Sequence, residues 1–369
     1  MQSPMNEYKS KTDRSILRPA LMLAVLISIL LVLTLVFFII VKVSGTLTSN
    51  DSDDIDNGAV TEDGDGENAD GGNDHASSPF YTSVSNFYPS YAPDESLVSL
   101  ANAGLNSPNI ALVDVSANQI IASSKSGKSN IIFPASMTKV MTLIVALENL
   151  TSEKQLQEKI TLDAAVVDKM VAEGSSGYGF KAGEVLTVDE LLHAVILYSD
   201  GTACLTLANY IAGSEAKFVK LMNDKATEMG LQNTLFQNTT GLHHQYHYST
   251  CQDIAAIMMY AMKNPHCARI MTAQSLTLGS HFRPNNDGDT YTMYNQALHT
   301  SKFTQPNKIT VTAAKTGYTG QLEDDGSGYC FVSYGKTRDG KAFILVTAGA
   351  ATVALRNQDT VAIYDKYAK

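Results

Sequence analysis

A continuous apolar run near the N-terminus constrains the chain more than any other feature. Every residue over 20–41 is apolar except Ser28 and Thr34, and these 22 residues match the roughly 20 that a helix needs to cross a bilayer core. Basic residues precede the run and an acidic stretch follows it. Because positive charge stays on the cytoplasmic side, the sequence predicts a cytoplasmic tail over 1–19, a transmembrane signal-anchor helix over 20–41 in the lipid bilayer, and an external remainder.

A cleaved signal peptide is the alternative interpretation of the same run. The apolar region of a signal peptide usually has about 7–15 residues, and this one is longer. Cleavage would release a secreted protein with the same external domain, and N-terminal sequencing of the mature protein distinguishes the two. The length of the run favours the uncleaved anchor.

Residues 42–95 have the composition of a tether. The whole chain has a formal net charge of −10, and residues 43–78 contain ten acidic groups and no Lys or Arg. A segment so rich in Asp, Gly, Ser and Asn cannot bury enough apolar area to offset its ordering entropy. The sequence therefore predicts a disordered acidic linker over 42–95 and then a nearly neutral domain over 96–369, which has no basic footprint for nucleic acid.

The periodicity of the external domain predicts strands at both ends and helices between them. Strand patterns occur over 110–122 and again after residue 309, where the last two strands flank a turn at Asp339-Gly340. Helical patterns fill the middle, and one of them is interrupted at 199–201. This order predicts an α+β fold in which the first and last segments close an antiparallel sheet and the helices pack on it.

The first motif that suggests chemistry is Pro134-Ala-Ser136-Met-Thr-Lys139. Residues three apart share a helix face, so the Oγ of Ser136 and the Nζ of Lys139 can meet. A buried lysine with a lowered pKa can stay neutral and accept the proton of the serine, and the helix N-terminus favours an oxyanion. The pattern also arises by chance, with the serine as a cap and the lysine in solvent. The apolar helix around Lys139 disfavours that explanation.

The second motif, Ser199-Asp-Gly201, stands at the interruption of the helical pattern. A serine at such a break can relay a proton between a nucleophile and a leaving group. Ser and Asp are also favoured helix caps, which explains the triplet equally well. Taken alone, this motif leaves both interpretations open.

The third motif, Lys315-Thr-Gly317, directly follows a strand pattern. The glycine lets a substrate backbone lie against the strand edge, while Lys315 and Thr316 offer positive charge and a hydroxyl to a carboxylate. Lys-Thr-Gly is common in turns, so the motif is weak alone. In this order and spacing, however, the three motifs form the set of the penicillin-recognising serine enzymes.

On these motifs, residues from about 95 to 369 resemble the serine-type D-alanyl-D-alanine carboxypeptidases, the low-molecular-mass penicillin-binding proteins. Further similar stretches are 182–192, 203–213, 238–242, 247–250 and 315–319. The resemblance implies a β-lactamase/transpeptidase-like fold in a bacterial cell-membrane protein with an extracytoplasmic catalytic domain. It also implies that the partners are peptidoglycan stem peptides ending in D-Ala-D-Ala and β-lactam antibiotics, and that no cofactor is needed.

The resemblance assigns catalytic roles to four residues. It implies that Ser136 attacks the carbonyl between the two terminal D-alanines of the stem pentapeptide and that Lys139 accepts its proton. The last D-alanine leaves, and water hydrolyses the acyl-enzyme. Ser199 and Lys315 are implied to shuttle protons and to shape the electrostatic field.

Substrate-binding roles follow from the same resemblance. The backbone N–H groups of Ser136 and Tyr318 are implied to form the oxyanion hole, with Gly317 leaving room for the substrate backbone. Thr316 and Arg356 are implied to hold the substrate carboxylate. Family members carry an arginine just after the last strand, which is where Arg356 stands.

One residue departs from the family pattern. The second motif usually ends in Asn, whose side chain links the lysine to substrate amides, and here Gly201 occupies that place. A catalytically silent, membrane-tethered wall-binding protein is therefore one alternative. A β-lactamase is another, since Glu173 lies in the region of its water-activating Glu, but Gly177 stands where an Asn is typical.

The remaining candidate ligands predict no metal site. His243, His244 and His247 lack the intervening Glu of an H-E-x-x-H arrangement and fall in a loop pattern. The four cysteines follow no C-x-x-C spacing, and as external residues they could form disulfides. Cys204 and Cys330 lie in apolar patterns that suit buried thiols, so free cysteines are the favoured interpretation.

Overall fold

The long C-terminal strands are apolar on both faces, so the sheet that they form needs cover on both sides. The computed structural model describes residues 78–125, 131–283, 289–299 and 303–369. In it, the strand Ala342–Ala350 is buried at every position. A strand of this kind reads as a near-continuous hydrophobic run rather than an alternating one, which is typical of a sheet between two helical layers.

The described strands follow one another from the N-terminal edge of the domain to the C-terminal hairpin. In chain order they are β1 Ser90–Tyr91, β2 Val98–Ser99, β3 Asn109–Asp114, β4 Gln119–Ser123, β5 Ile131–Ile132, β6 Lys159–Thr161, β7 Val185–Thr187, β8 Ser249–Thr250, β9 Ser275–Thr277, β10 Thr292–Tyr294, β11 Ile309–Gly317, β12 Tyr329–Thr337 and β13 Ala342–Ala350.

The helices fill the middle of the chain and close it at the C-terminus. They are α1 Lys139–Glu148, α2 Ala164–Ala172, α3 Val188–Leu197, α4 Gly201–Ala212, α5 Glu215–Glu228, α6 Cys251–Lys263, α7 Pro265–Met271 and α8 Val353–Tyr367. Short 3-10 turns occur at Ala135–Thr138, Glu153–Gln157 and Leu322–Asp324. The interruption predicted at 199–201 is confirmed as the junction between α3 and α4.

Within the described residues, seven strands form one sheet, and the predicted α+β class is confirmed. The order across the sheet is β1-β4-β3-β13-β12-β11, with β2 also paired to β4. The pairs among β3, β4, β11, β12 and β13 are antiparallel, as predicted. The prediction of a purely antiparallel sheet is wrong at the outer edge, because β1 and β2 run parallel to β4. Strands of two residues have no periodicity from which their direction could be predicted.

The two faces of the sheet pack on different helices. Alternate residues of β3 illustrate this arrangement, because Ala111 and Val113 join the core that contains α1, α3 and α6, whereas Ile110 and Leu112 join a second core with the C-terminal helix α8. Among the described strands, β11 lies at the end of the sheet with one paired neighbour, and it contacts the 3-10 turn Ala135–Thr138 that carries Ser136.

The predicted linker differs from the structure at its C-terminal end. Residues 78–95 pack on the domain: Phe80 is 1% exposed, and Tyr88 donates a hydrogen bond to Asp253 at 2.8 Å. The prediction of disorder up to residue 95 is therefore wrong for 78–95, because aromatic residues there supply apolar area that the acidic composition of the whole segment concealed. The predicted tail, anchor helix and remaining linker lie outside the described residues.

No helix within the described ranges has both the length and the hydropathy to cross a bilayer. Cys204, Cys251, Cys267 and Cys330 are all buried as free thiols, in agreement with the favoured interpretation of the sequence.

Candidate active site

The turn that carries Ser136 is held between two close backbone approaches. Ala135 has a positive φ of 48°, an uncommon conformation for a residue with a side chain. On one side, a Cβ atom on Gly241 would lie 1.9 Å from the carbonyl oxygen of Ala135. On the other, a Cβ atom on Gly317 would lie 2.9 Å from the carbonyl oxygen of Pro134. Both glycines therefore let neighbouring backbone approach the serine closely.

Lys139 contacts the hydroxyl of Ser136 from the first turn of α1. Its Nζ donates to the Oγ of Ser136 at 3.0 Å and to the carbonyl oxygen of Thr240 at 2.7 Å. The side chain is 1% exposed, and burial lowers the pKa of Lys139 below the ordinary lysine value. A neutral fraction of this amine can accept a proton from the serine hydroxyl.

The loop that supplies the Thr240 carbonyl is itself fastened to the helices. The hydroxyl of Thr142 in α1 donates to the carbonyl oxygen of Thr239 at 2.7 Å. Glu215, at the start of α5, accepts a hydrogen bond from the hydroxyl of Thr239 at 2.9 Å. Asn238 accepts the N–H of Gly241 at 2.7 Å. These bonds fix the carbonyl that orients the ammonium group.

His247 fixes Thr138, the residue directly before Lys139. The N–H of Gln237 donates to Nδ1 of His247 at 3.3 Å, so the proton of the neutral ring is on Nε2, which lies 2.8 Å from the Oγ1 of Thr138. His247 is 2% exposed, and burial lowers its pKa to about 3. The neutral imidazole therefore holds the turn as a structural hydrogen-bond donor.

Ser199 and Lys315 form a second serine–lysine pair across the cleft. Ser199 has a φ of 57°, which turns the chain sharply between α3 and α4. The Nζ of Lys315, on β11, donates to its Oγ at 2.9 Å. Lys315 is 1% exposed, and burial, together with the charge on Lys139, lowers the pKa of Lys315 well below the ordinary value. A proton on one lysine thus disfavours a proton on the other.

Asp200 is a buried carboxyl whose charge acts on Lys139. It caps α4 by accepting the N–H of Ala203 at 2.8 Å. Burial raises the pKa of Asp200 to about 6, although the backbone N–H groups that it accepts and the charge on Lys139 act in the opposite direction. Within the described residues, no carboxylate is within ion-pair distance of Lys139 or Lys315.

The three motifs meet at a cleft of about 490 Å³. The residues that line it are Ser136, Ser176, Gly177, Tyr198, Ser199, Gln296, Thr316, Gly317, Tyr318, Tyr329, Val353 and Arg356. All six predicted site residues other than the two lysines thus share one surface, and each lysine contacts a serine of that surface. Tyr318 is 44% exposed and stacks on Tyr329 with the ring centroids 4.3 Å apart.

Arg356 brings a positive charge to the lining of this cleft. It is 3% exposed, its guanidinium lies 4.7 Å from the centroid of the Phe331 ring, and it donates to the Oδ1 of Asn357 at 2.7 Å. Burial lowers the pKa of Arg356 to about 10. No carboxylate of the described chain pairs with it, so the group is available to an anionic ligand.

A second, larger groove of about 660 Å³ adjoins the cleft at Tyr318. Glu173, His243 and His244 line it, whereas His247 is buried elsewhere. Across the described ranges, no group of three or more His, Cys, Asp or Glu side chains is arranged to hold a metal ion.

Sequence reasoning missed three contributors to the site. The carbonyl of Thr240 is a backbone atom, and its only signal was the similarity of 238–242 to the family. His247 was considered as a metal ligand and as part of the similar stretch 247–250, but not as the partner of Thr138. No sequence signal indicated a cleft wall at 176–177, where Gly177 was considered only against the β-lactamase pattern.

Comparison with protein families gives a match over residues 98–352, to the family described as D-alanyl-D-alanine carboxypeptidase. Among curated relatives, DacF of Bacillus subtilis is 34% identical over 233 residues, which is 63% of this chain and 55% of DacF. DacC of Escherichia coli is 30% identical over 249 residues, which is 66% of this chain and 57% of DacC. Both carry the name D-alanyl-D-alanine carboxypeptidase, and the chain spans little more than half the length of each.

Solved structures show the same fold. A variant of the Streptomyces K15 DD-transpeptidase superimposes with a TM-score of 0.59 at 24% identity, covering 71% of this chain and 97% of that protein. A D-alanyl-D-alanine carboxypeptidase of Mycobacterium tuberculosis superimposes with a TM-score of 0.56 at 24% identity, covering 71% and 90%.

Proposed function

Because the chain belongs to the D-alanyl-D-alanine carboxypeptidase family, we propose that it removes the terminal D-alanine from peptidoglycan stem pentapeptides through an acyl-enzyme on Ser136. The observation that carries the proposal is the 3.0 Å contact between the Nζ of Lys139 and the Oγ of Ser136. A buried amine without a carboxylate partner is suited to act as a base for that hydroxyl.

In the proposed acylation, Lys139 accepts the hydroxyl proton while the Oγ of Ser136 bonds to the carbonyl carbon of the penultimate D-alanine. The N–H groups of Ser136 and Tyr318 stabilise the oxyanion. The C–N bond then breaks, and the proton taken up by Lys139 passes to the leaving amine by way of Ser199 and Lys315. Water then gives a proton to Lys139 as its oxygen bonds to the ester carbon. The bond from that carbon to the Oγ of Ser136 breaks, Lys139 returns the proton to the Oγ, and the peptide carboxylic acid leaves.

The polarity of the cleft supports an anionic C-terminus as the substrate group. Arg356 and the hydroxyl of Thr316 line the same surface as Ser136. We assign them to the terminal carboxylate, because a charge-assisted hydrogen bond in a partly desolvated cleft is stronger than a neutral one. The space that a Cβ atom on Gly317 would need is filled by Pro134 and Ala135, so this glycine admits the nucleophile turn, and the expectation that it makes room for the substrate backbone is wrong. β-Lactam antibiotics, which carry a carboxylate beside a reactive amide, are proposed as a second class of ligand.

The position of Glu173 disfavours rapid β-lactam hydrolysis. Its side chain is 42% exposed, lies 4.0 Å from Lys169 and lines the adjoining groove rather than the cleft. We therefore expect penicillin to leave a long-lived adduct on Ser136.

The membrane assignment is part of the same proposal. Residues 20–41 would anchor the protein in the cell membrane, with 1–19 in the cytoplasm and the catalytic domain outside. Residues 42–77 would act as an acidic spacer. Protease treatment of intact and lysed spheroplasts tests this topology, because only lysis should expose the N-terminal tail.

One incubation tests the activity. The purified protein is mixed with a pentapeptide ending in D-Ala-D-Ala or with a labelled penicillin, and peptide and protein are analysed by mass spectrometry. We expect release of D-alanine and a penicillin adduct on Ser136, both lost in Ser136→Ala and kept in the control variant Ser83→Ala. If the unaltered protein does neither, it is a silent wall-binding homologue.

A further inference from the structure

The space that a side chain at position 201 would occupy is filled by the loop 175–178. Gly201 begins α4, and a Cβ atom on it would lie 2.0 Å from the Oγ of Ser175 and 2.8 Å from the Cβ of Ser175. Ser175 therefore occupies the volume that a side chain at 201 would need. The glycine in the motif and the serine in the loop belong to one packing arrangement.

Two hydrogen bonds fasten this loop to the second motif. The N–H of Gly201 donates to the carbonyl oxygen of Ser176 at 2.9 Å, and the N–H of Tyr178 donates to Oδ2 of Asp200 at 2.7 Å. Asp200 is 1% exposed and also caps α4, so its position is fixed. A Cβ atom on Gly177 would lie 2.6 Å from the same Oδ2, so the loop comes this close because residue 177 has no side chain.

Ser176 and Gly177 consequently form a wall of the cleft that contains Ser136 and Ser199. Ser176 is exposed, and within the described ranges its hydroxyl makes no hydrogen bond to the protein. Its carbonyl oxygen is engaged by Gly201. Ser176 therefore lines the same cleft as the two serines, and the hydrogen-bonding capacity of its hydroxyl is free for a ligand.

We propose that Ser176 is a substrate-contacting residue that makes, from the loop, the hydrogen bond to a substrate amide that Gly201 cannot make. The inference rests on the proposed function for the identity of the ligand, a peptide ending in D-Ala-D-Ala. Asp200 and Gly201 position the loop, and Ser175 fills the space between loop and helix.

Equilibrium binding tests the contact independently of turnover. In a Ser136→Ala background, Ser176→Ala should weaken binding of an acetylated D-Ala-D-Ala peptide by about threefold to tenfold in calorimetry, the effect of one neutral hydrogen bond. The exposed Ser83→Ala in the same background should leave the affinity unchanged. Equal affinities with and without the Ser176 hydroxyl, or no binding in either protein, would overturn the proposal.

A rescue experiment tests whether Ser176 replaces the missing side chain at position 201 or only lies next to it. Gly201→Asn alone collides with Ser175, whereas Ser175→Gly in the same protein removes both colliding atoms and leaves the sulfur of the flexible Met170, 3.1 Å away, as the nearest neighbour of the new Cβ. In that double variant, Ser176→Ala should reduce the affinity for the peptide by less than about twofold, because the Asn side chain at position 201 can now make the hydrogen bond that the Ser176 hydroxyl made. An undiminished loss would overturn the replacement. Penicillin labelling of Ser136 tests the proposed function separately. If labelling fails but peptide binding still depends on Ser176, the proposed function is contradicted and the inference about Ser176 is retained.

Discussion

Gly241 lies so close to Ala135 that a Cβ atom on Gly241 would be 1.9 Å from the carbonyl oxygen of Ala135. The loop that orients Lys139 and the turn that carries Ser136 are therefore in backbone contact, and this contact depends on the absence of one side chain. Gly241 also has a φ of 78°, which residues with a side chain rarely adopt.

We expect Gly241→Ala to lower the rate of penicillin acylation by more than about tenfold, because the added methyl group must push the nucleophile turn away from Lys139. Overpacking should also reduce the free energy of unfolding by about 1–3 kcal/mol in urea titrations. Gly340→Ala is the matched control, since Gly340 has a φ of 89° but no atom within 4 Å of an added Cβ. Equal acylation rates for the two variants would contradict the argument.

The acylation rate should rise with pH through the pKa of Lys139. Burial lowers the pKa of Lys139, so the neutral base forms at a lower pH than in an exposed lysine, and the rate should level off above that pKa. Lys139→Arg cannot deprotonate and should lose about 10²–10⁴ in rate. The exposed Lys336→Arg serves as the control in the same stopped-flow assay. A pH-independent rate, or activity retained by Lys139→Arg, would exclude Lys139 as the base.

Local periodicity explains which parts of the site could be predicted from the sequence. Ser136 and Lys139 are three residues apart, and Lys315 lies in a strand, so their relation to their own elements follows from short-range geometry. The contact between Lys139 and Thr240 joins residues 101 positions apart through a backbone carbonyl that any residue type would offer. No pattern of residue types could identify that partner.

Composition averaged over a window explains the main error in the fold. Residues 42–95 are acidic as a whole, but the aromatic residues near the end of this range pack on α6 and α7, as the contacts of Phe80 and Tyr88 illustrate. The loop at 175–178 was missed for a different reason. Its role depends on the space left by Gly201, which exists only once α4 is positioned.

Arg356 is expected to recognise the carboxylate of the substrate rather than its side chains. Arg356→Gln should lower kcat/KM for a D-Ala-D-Ala peptide by about 10-fold to 100-fold, the effect of losing a charged hydrogen bond. The same peptide with a C-terminal amide should be a poor substrate for both proteins, so the preference for acid over amide should collapse in the variant. If Arg356→Gln slows both peptides equally, its effect is structural, through the lost packing on Phe331.

His247 should make the free energy of unfolding depend on pH, and substitution of His247 should weaken that dependence. Burial lowers the pKa of His247 to about 3, so in the folded protein it stays neutral while the unfolded chain binds a proton below the ordinary pKa of about 6.5. The contribution of His247 to the free energy of unfolding therefore falls as the pH drops from about 6.5 towards 3, by up to about 1.4 kcal/mol per pH unit. His247→Gln cannot titrate at this position, and we expect it to be less stable than the unaltered protein at pH 6.5. Because only the unaltered protein loses the contribution of His247 as the pH falls, the difference between their free energies of unfolding should shrink by about 2–3 kcal/mol between pH 6.5 and pH 4 in urea unfolding. The half-buried His266→Gln, outside this network, provides the comparison, and parallel pH curves for His247→Gln and the unaltered protein would show that His247 is protonated in the folded state.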